Sequence, residues 1–136
     1  MKNIIWIIAI FAMSITITSC TQSSQVKSSQ VKILPYDQKL KVESCFDQIN
    51  RHYFGEILTS TWFSGSIYNR SEWTVTRMLI NIKAFEKNGS KRWDRDFYAD
   101  VKAAPLETGK FSVEIIDYND DLKIDWSIKE IYGHIK

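Results

Sequence analysis

The sequence predicts a mainly β fold, an antiparallel β-sandwich of about five to seven strands with one N-terminal amphipathic helix. Apolar and polar residues alternate with a period of two in several runs after residue 57. Turn signals separate the runs at Asn69–Glu72, Asn88–Ser90 and Asn119–Asp121. Strand-length runs joined by tight turns are typical of antiparallel sheets, so we expect one domain of two packed layers.

The predicted helix covers residues 37–53. Apolar residues recur there at helical spacing, at Val42, Cys45, Phe46, Ile49 and Tyr53. Asp37 is suited to cap the first turn, and Gly55 lies just past the last residue. Because the charged side chains fall largely on the other face, the segment is predicted to be amphipathic.

The strand candidates follow in chain order. Ile57–Tyr68 is rich in Thr, Trp, Phe, Ile and Tyr, residues that favour strands, and Trp73–Phe85 is a longer run of the same kind. Arg92–Val101 shows the clearest alternation, and Pro105 ends it. Alternation resumes over Gly109–Ile115, so these four runs supply most of the predicted sandwich.

The last run places four large apolar side chains on one face, at Leu122, Ile124, Trp126 and Ile128. Such a face must be buried against another layer, so we expect Trp126 to be a central core residue. Ile131 breaks the alternation, which predicts a β-bulge or a bend near Glu130.

The first residues have the pattern of a signal peptide. The apolar run Ile4–Ile17 follows Lys2 and falls short of the ~20 apolar residues that a membrane-spanning helix needs. It ends at Ile17–Cys20, reading ITSC, which resembles the lipobox of bacterial lipoproteins. The resemblance implies cleavage before Cys20 and a diacylglycerol on its thiol, with residues 1–19 as the signal peptide. An uncleaved transmembrane anchor and plain secretion are the competing interpretations.

The same resemblance implies a location. An Asp directly after the cysteine favours retention in the inner membrane, whereas this chain has Thr21, which implies the outer membrane, facing the periplasm. Residues 21–32 are polar, lack aromatics and contain SSQVK twice. We therefore predict a lipid-anchored flexible tether over residues 20–32 and a single β-rich domain over residues 33–136.

Composition excludes several classes of site. The chain has 18 basic and 16 acidic residues, a balance that gives no electrostatic footprint for nucleic acid. There are two cysteines, and if Cys20 is acylated Cys45 has no partner in the chain. A disulfide framework and a cysteine-cluster metal site are then excluded. We expect Cys45 to be a small core residue, with an intermolecular disulfide as the alternative.

No catalytic, cofactor-binding or metal-binding residues are predicted. Cys45 and His52 would lie ~10 Å apart along a helix, too far for a catalytic dyad. Asp117–Asp121 begins like an EF-hand loop, but Leu122 stands where that loop requires Gly, so we expect a polar turn. The carboxylates of Arg92–Val101 share one strand face, where charge is expected on a solvated surface.

Aromatic residues are the one compositional excess, with five Trp, six Tyr and seven Phe. Four of them flank one turn, at Trp62, Phe63, Tyr68 and Trp73. Core packing is one interpretation of these four. An exposed binding surface is the other, because exposed aromatics are common interface anchors.

Four segments together resemble small extracytoplasmic immunoglobulin-like domains of the FxLYD type: GSIYNRSEWTVTRMLINIKAF, RWDRDFYADV, the stretch from Pro105 to Phe111, and IDWSIKEIYG. The resemblance covers roughly residues 60–133 and implies a sandwich without catalytic residues. We therefore expect a non-enzymatic cell-envelope lipoprotein that presents a protein-binding or assembly-accessory domain, attached to the membrane by its lipid and bound to an envelope protein. A periplasmic small-ligand binder and a periplasmic enzyme or inhibitor are the alternatives.

The lipobox interpretation predicts the behaviour of a single variant. Cys20→Ala removes the thiol that accepts the diacylglycerol, so the precursor should stay unprocessed, as it should in wild-type cells treated with globomycin. Electrophoretic mobility and labelling with radioactive palmitate measure both steps. Normal processing of the Ala variant would contradict lipidation at Cys20.

Overall fold

The computed structural model describes residues 29–136. They form a mainly β fold of seven strands in two antiparallel sheets, with a single helical turn, and the layers pack as an open sandwich. The predicted signal peptide, Cys20 and the tether as far as residue 28 lie outside the described residues. None of the helical structure in residues 29–136 has the length and apolar character needed to cross a bilayer.

The elements, in chain order, are β1 (Lys32–Ile33), α1 (Tyr36–Lys39), β2 (Val42–Phe54), β3 (Ile57–Asn69), β4 (Thr74–Phe85), β5 (Lys91–Ala103), β6 (Thr108–Ile115) and β7 (Lys123–His134). One sheet has the strand order β1-β7-β4-β5 and the other β2-β3-β6. The alternating runs predicted from the sequence correspond to β3 to β7.

The predicted helix over residues 37–53 is wrong. Only Tyr36–Lys39 is helical, and the rest of the segment belongs to β2, which pairs with β3. The register shifts between Phe46 and Gln48, so the inward positions are Val42, Ser44, Phe46 and then Ile49. Because Ser44 is polar, the apolar residues among them are spaced by four and then by three. Steps of four and three are the spacing of a helix face, so a bulged strand imitated an amphipathic helix.

The core lies between the sheets and draws on both. β4 contributes Met78, Ile80 and Ile82, all fully buried, and β3 contributes Phe63. Trp126 of β7 points inward as expected, but it is only partly buried, packed edge-on against Phe63 at 5.4 Å between ring centroids. It keeps some exposure because β1 pairs with β7 only at Tyr132 and Gly133, which leaves the edge of β7 beside Trp126 uncovered.

The β-bulge predicted in the last strand is confirmed. Leu79 of β4 pairs with Glu130, whereas the next residue, Ile80, pairs with Ile128. Lys129 is therefore the extra residue. The bulge restores the inward direction at Ile131, which is buried.

A buried amide at the end of β3 joins the two sheets. Asn69 is fully buried, and its Nδ2 donates to the carbonyl oxygens of Trp73 at 2.7 Å and Ala103 at 2.9 Å. Its Oδ1 accepts from the backbone N of Ser71 at 3.0 Å and from the Ser71 hydroxyl at 2.6 Å. The side chain thereby satisfies its hydrogen-bonding groups and ties β3 to the beginning of β4 and the end of β5.

This network predicts a large loss of stability for Asn69→Ala. The substitution leaves buried carbonyl groups without donors and opens a cavity, so the free energy of unfolding should fall by about 2–4 kcal/mol. Chemical denaturation of the purified protein measures the change.

Asn88→Ala is the matched control. Asn88 accepts the same two hydrogen bonds from Ser90, at 2.9 and 2.6 Å, but in an exposed turn. Its loss should cost less than about 1 kcal/mol. Equal costs for the two variants would show that burial of the Asn69 amide is unimportant.

Candidate functional site

The strand directions give the sandwich two distinct poles. The proximal pole is the end of the sandwich at which β1 begins and β3, β5 and β7 end. The pairs Lys32–Gly133 and Thr74–His134 place these strand ends together. The distal pole carries the β2–β3 turn, the β4–β5 turn and the loop from β6 to β7. The chain upstream of the described residues enters at the proximal pole.

The distal pole carries an exposed apolar hairpin. Tyr53, Phe54, Ile57 and Leu58 are 54%, 80%, 69% and 43% exposed, and we call residues 53–58 the hairpin tip. The last pair of β3 with β6 is at Thr61, so the tip extends past the third strand of its sheet.

Both faces of the hairpin tip are apolar. Phe54 pairs with Ile57, and Tyr53 pairs with Leu58, so each cross-strand pair is apolar and successive pairs point to opposite faces. Gly55 makes the turn between them with a φ of 61°, a conformation that glycine adopts without steric cost. The tip therefore presents apolar side chains on both faces of the hairpin, with Glu56 at the turn between them.

Ile116 extends this surface onto the neighbouring loop. Its side chain is 70% exposed, and it lines a shallow depression together with Leu58 and Tyr118. Contiguous exposed apolar side chains are unusual on a monomeric protein and mark interaction sites.

Ion pairs fix the loop beside the hairpin tip. Arg92 donates to both carboxylate oxygens of Asp117, at 2.7 and 2.9 Å, and Arg51 binds Asp120 in the same bidentate way. Lys87 binds Asp121 at 2.6 Å. Hydrogen bonds from the Arg92 guanidinium hold the pKa of Asp117 below its ordinary value. These carboxylates are thus neutralised by the protein's own cations, as in a polar turn, and the described part of the chain contains no cluster suited to a metal ion.

The four aromatic residues singled out in the sequence do not form one surface. Phe63 is fully buried and belongs to the core, whereas Trp62 and Tyr68 lie partly exposed on the opposite face of β3. Six residues of strand separate those two by about 20 Å. Trp73 packs against the core instead. Tyr68 lies under the Arg70 guanidinium, 5.6 Å from the ring centroid, and the Trp62 indole donates to Ser60.

Cys45 is exposed, and the expectation that it lies in the core is wrong. In a strand, Cys45 and Phe46 point to opposite faces, and the inward position belongs to Phe46. Cys45 and His52 lie seven strand residues apart, about 20 Å, so they form no dyad.

The helix prediction also concealed the hairpin tip. Its sequence signal was a pair of apolar residues on each side of Gly55-Glu56, which leaves both faces of a hairpin apolar.

The outer face of β4, β5 and β7 carries a charged network. Asn81 donates to Asp94 at 2.6 Å and to Asp96 at 2.8 Å, and Lys129 binds Asp96 at 2.7 Å. The hydrogen bond from Asn81 lowers the pKa of Asp94, and the hydrogen bond from Lys129 lowers that of Asp96. Both carboxyl groups are therefore ionised at neutral pH, whereas a general acid needs a raised pKa. The geometry is that of a solvated ion network.

No protein-family model, curated protein sequence or solved structure matches the chain. Among residues 29–136, depressions at the proximal pole and on the outer sheet face open to solvent.

The pKa of Asp117 predicts a pH-dependent contribution to stability. A carboxyl group with a lowered folded-state pKa stabilises the fold above its unfolded pKa of about 3.9, and this contribution disappears as the pH falls through the folded-state pKa. Asp117→Asn should therefore lower the melting temperature at pH 7 and have a much smaller effect near pH 2. Asp125→Asn, at an exposed position, is the control. A loss that is the same at both pH values would contradict the ion-pair explanation.

Proposed function

We propose that this protein is a non-enzymatic cell-envelope lipoprotein whose β-sandwich binds an envelope protein through the hairpin tip. The observation that carries the proposal is the exposure of Tyr53, Phe54, Ile57 and Leu58 at the pole opposite to the one where the N-terminal chain enters. A membrane anchor upstream of residue 29 would hold the proximal pole near the bilayer. The hairpin tip would then point away from the lipid, toward soluble or membrane-bound partners.

The chemistry of the tip suits a protein interface. Aromatic and large aliphatic side chains provide most of the binding energy at interface centres, and polar groups form the surrounding rim. Phe54 and Ile57 would supply such a centre. The ion pairs of Asp117 and Asp120 lie beside it as a rim whose charges are already paired.

Two features support a lipoprotein of the kind the sequence resembles. The ITSC sequence ending at Cys20 supports acylation, and Thr21 supports sorting to the outer membrane. The two antiparallel sheets suit the immunoglobulin-like architecture of FxLYD-type domains, and we propose that relationship for residues 60–133.

Site-specific cross-linking in the native cells tests the proposal. A photoreactive phenylalanine analogue replaces Ile57 in the full-length protein, and we expect one discrete adduct with an envelope protein. Phe54→Ser in the same chain should reduce that adduct about tenfold, because the loss of an interface anchor costs about 1–2 kcal/mol.

Tyr98 provides the control position. It is 63% exposed but lies on the outer face of the four-stranded sheet. The analogue at Tyr98 should give no corresponding adduct, and Tyr98→Ser should leave the Ile57 adduct unchanged. Equal adducts from the two positions, or none from Ile57, would argue against a partner at the hairpin tip.

A further inference from the structure

We propose that the proximal pole binds the phosphate headgroups of anionic phospholipids and so orients the domain on the membrane. The inference goes beyond the proposed protein-binding function, because it concerns the opposite pole and a different class of ligand.

Lysine side chains surround a depression at this pole. Lys102, Lys110 and Lys136 line it together with His134, and none of the three lysines forms an ion pair with any residue between 29 and 136. By contrast, Lys87 and Arg92 of the distal pole are held in ion pairs. The proximal lysines therefore keep their charge available for a ligand.

Two carboxylates also line the depression, and both have partners. Asp100 accepts a hydrogen bond from the Arg77 guanidinium at 2.8 Å. Glu107 accepts one from the backbone N of Ala104 at 3.2 Å. The three lysines outnumber these two carboxylates by one, and Asp100 is already paired with Arg77, so the depression has an excess of positive charge that an anion would complement.

Thr74 supplies the independent observation. It lines the same depression, its side chain is only 8% exposed, and its Oγ1 has no hydrogen-bond partner among the described residues. A buried hydroxyl group without a partner costs about 1–3 kcal/mol, so such groups normally mark a missing ligand or water. Because Oγ1 itself is buried, a phosphate in the depression would bind the lysine ammonium groups directly and the hydroxyl through a bridging water.

Apolar side chains are interleaved with these cations at the proximal pole. Leu40, Leu106 and Ile135 are 65%, 71% and 55% exposed. Leu106 projects from the β5–β6 turn with a φ of 65°, and its backbone N donates to the carbonyl of Asn69 at 2.6 Å. Lysines mixed with exposed aliphatic side chains are the combination that binds the interface of an anionic bilayer.

The position of the chain upstream selects lipid as the source of the phosphate. The described chain begins at the proximal pole, where Lys32 pairs with Gly133, and the sequence upstream contains the apolar run Ile4–Ile17. If that run, or the lipid proposed on Cys20, anchors the chain in a bilayer, only about a dozen residues lie between the anchor and β1. The first surface that the tethered domain brings to the headgroups is therefore the lysine-rich pole.

Lysine footprinting of the full-length protein in vesicles tests the inference. The protein is placed in vesicles of phosphatidylcholine, with or without about 30% phosphatidylglycerol, and acetylation of each lysine is measured by mass spectrometry. Phosphatidylglycerol should slow acetylation of Lys102, Lys110 and Lys136 about fivefold, which matches about 1 kcal/mol per lysine. High salt should abolish the protection. The distal Lys87 and Lys123 should show no change.

Several results would overturn the inference. Equal acetylation of the proximal lysines in both vesicles would exclude headgroup binding. Protection by inorganic phosphate with neutral vesicles, and none by phosphatidylglycerol, would assign the depression to free phosphate. In the Lys102→Glu/Lys110→Glu variant, phosphatidylglycerol should no longer protect Lys136, whereas in the control variant Lys83→Glu/Lys123→Glu the protection of Lys136 should remain. Protection of Lys136 that persists in the Lys102→Glu/Lys110→Glu variant would place the lipid contact elsewhere. Repeating the measurement with Cys20→Ala separates this inference from lipidation, because the apolar segment still holds that chain in the vesicle.

Discussion

The architecture depends on the buried amide of Asn69. Two of its side-chain hydrogen bonds connect the last residue of β3 to Trp73, just before β4, and to Ala103, the last residue of β5 in the other sheet, and two more hold Ser71 of the intervening turn. Its backbone carbonyl accepts from Leu106 and its backbone N donates to Glu107, so the β5–β6 turn is held by the same residue. A fully satisfied amide in a low-dielectric site defines one arrangement of its partners, because any displacement leaves a polar group unpaired. The proximal pole is therefore rigid where the two sheets join.

A close approach of backbone and ring fixes the middle of the sandwich. A Cβ at Gly65 would lie 2.6 Å from the Phe111 ring and 2.6 Å from the Cys45 carbonyl, so only glycine lets Phe111 cover β3 there. Phe111 then reaches Trp126 at 6.1 Å, and Trp126 packs on Phe63. This aromatic group spans both sheets beside the uncovered edge of β7, where packing has to replace the missing neighbouring strand.

Much of the fold was predictable, because one-sided burial imposes a period of two. The alternation in β5, β6 and β7 has its physical basis in that burial, and the break at Ile131 was readable as a bulge because a parity change has few other causes. The same reasoning gave the wrong secondary structure for β2. Its bulge at Asp47 lengthens one step of two to three, and the polar Ser44 leaves a step of four between the apolar residues before it. An edge strand with little burial offers no second signal to correct the period. The misread period also hid the hairpin, and with it the exposed tip.

The two poles expose apolar side chains in different electrostatic settings, and that difference carries the functional argument. At the distal pole the cations Arg51, Lys87 and Arg92 are held by carboxylates, so Phe54 and Ile57 stand out from a neutralised surface. Such a surface gains little binding free energy from contact with an anionic bilayer and more from burial in an apolar pocket of another protein. At the proximal pole the lysines near Leu106 have no such partners among the described residues. Sequence patterns locate neither pole. Ion pairs join residues that are distant in the chain, such as Arg51 and Asp120, so only the folded strands show which cations have a carboxylate beside them.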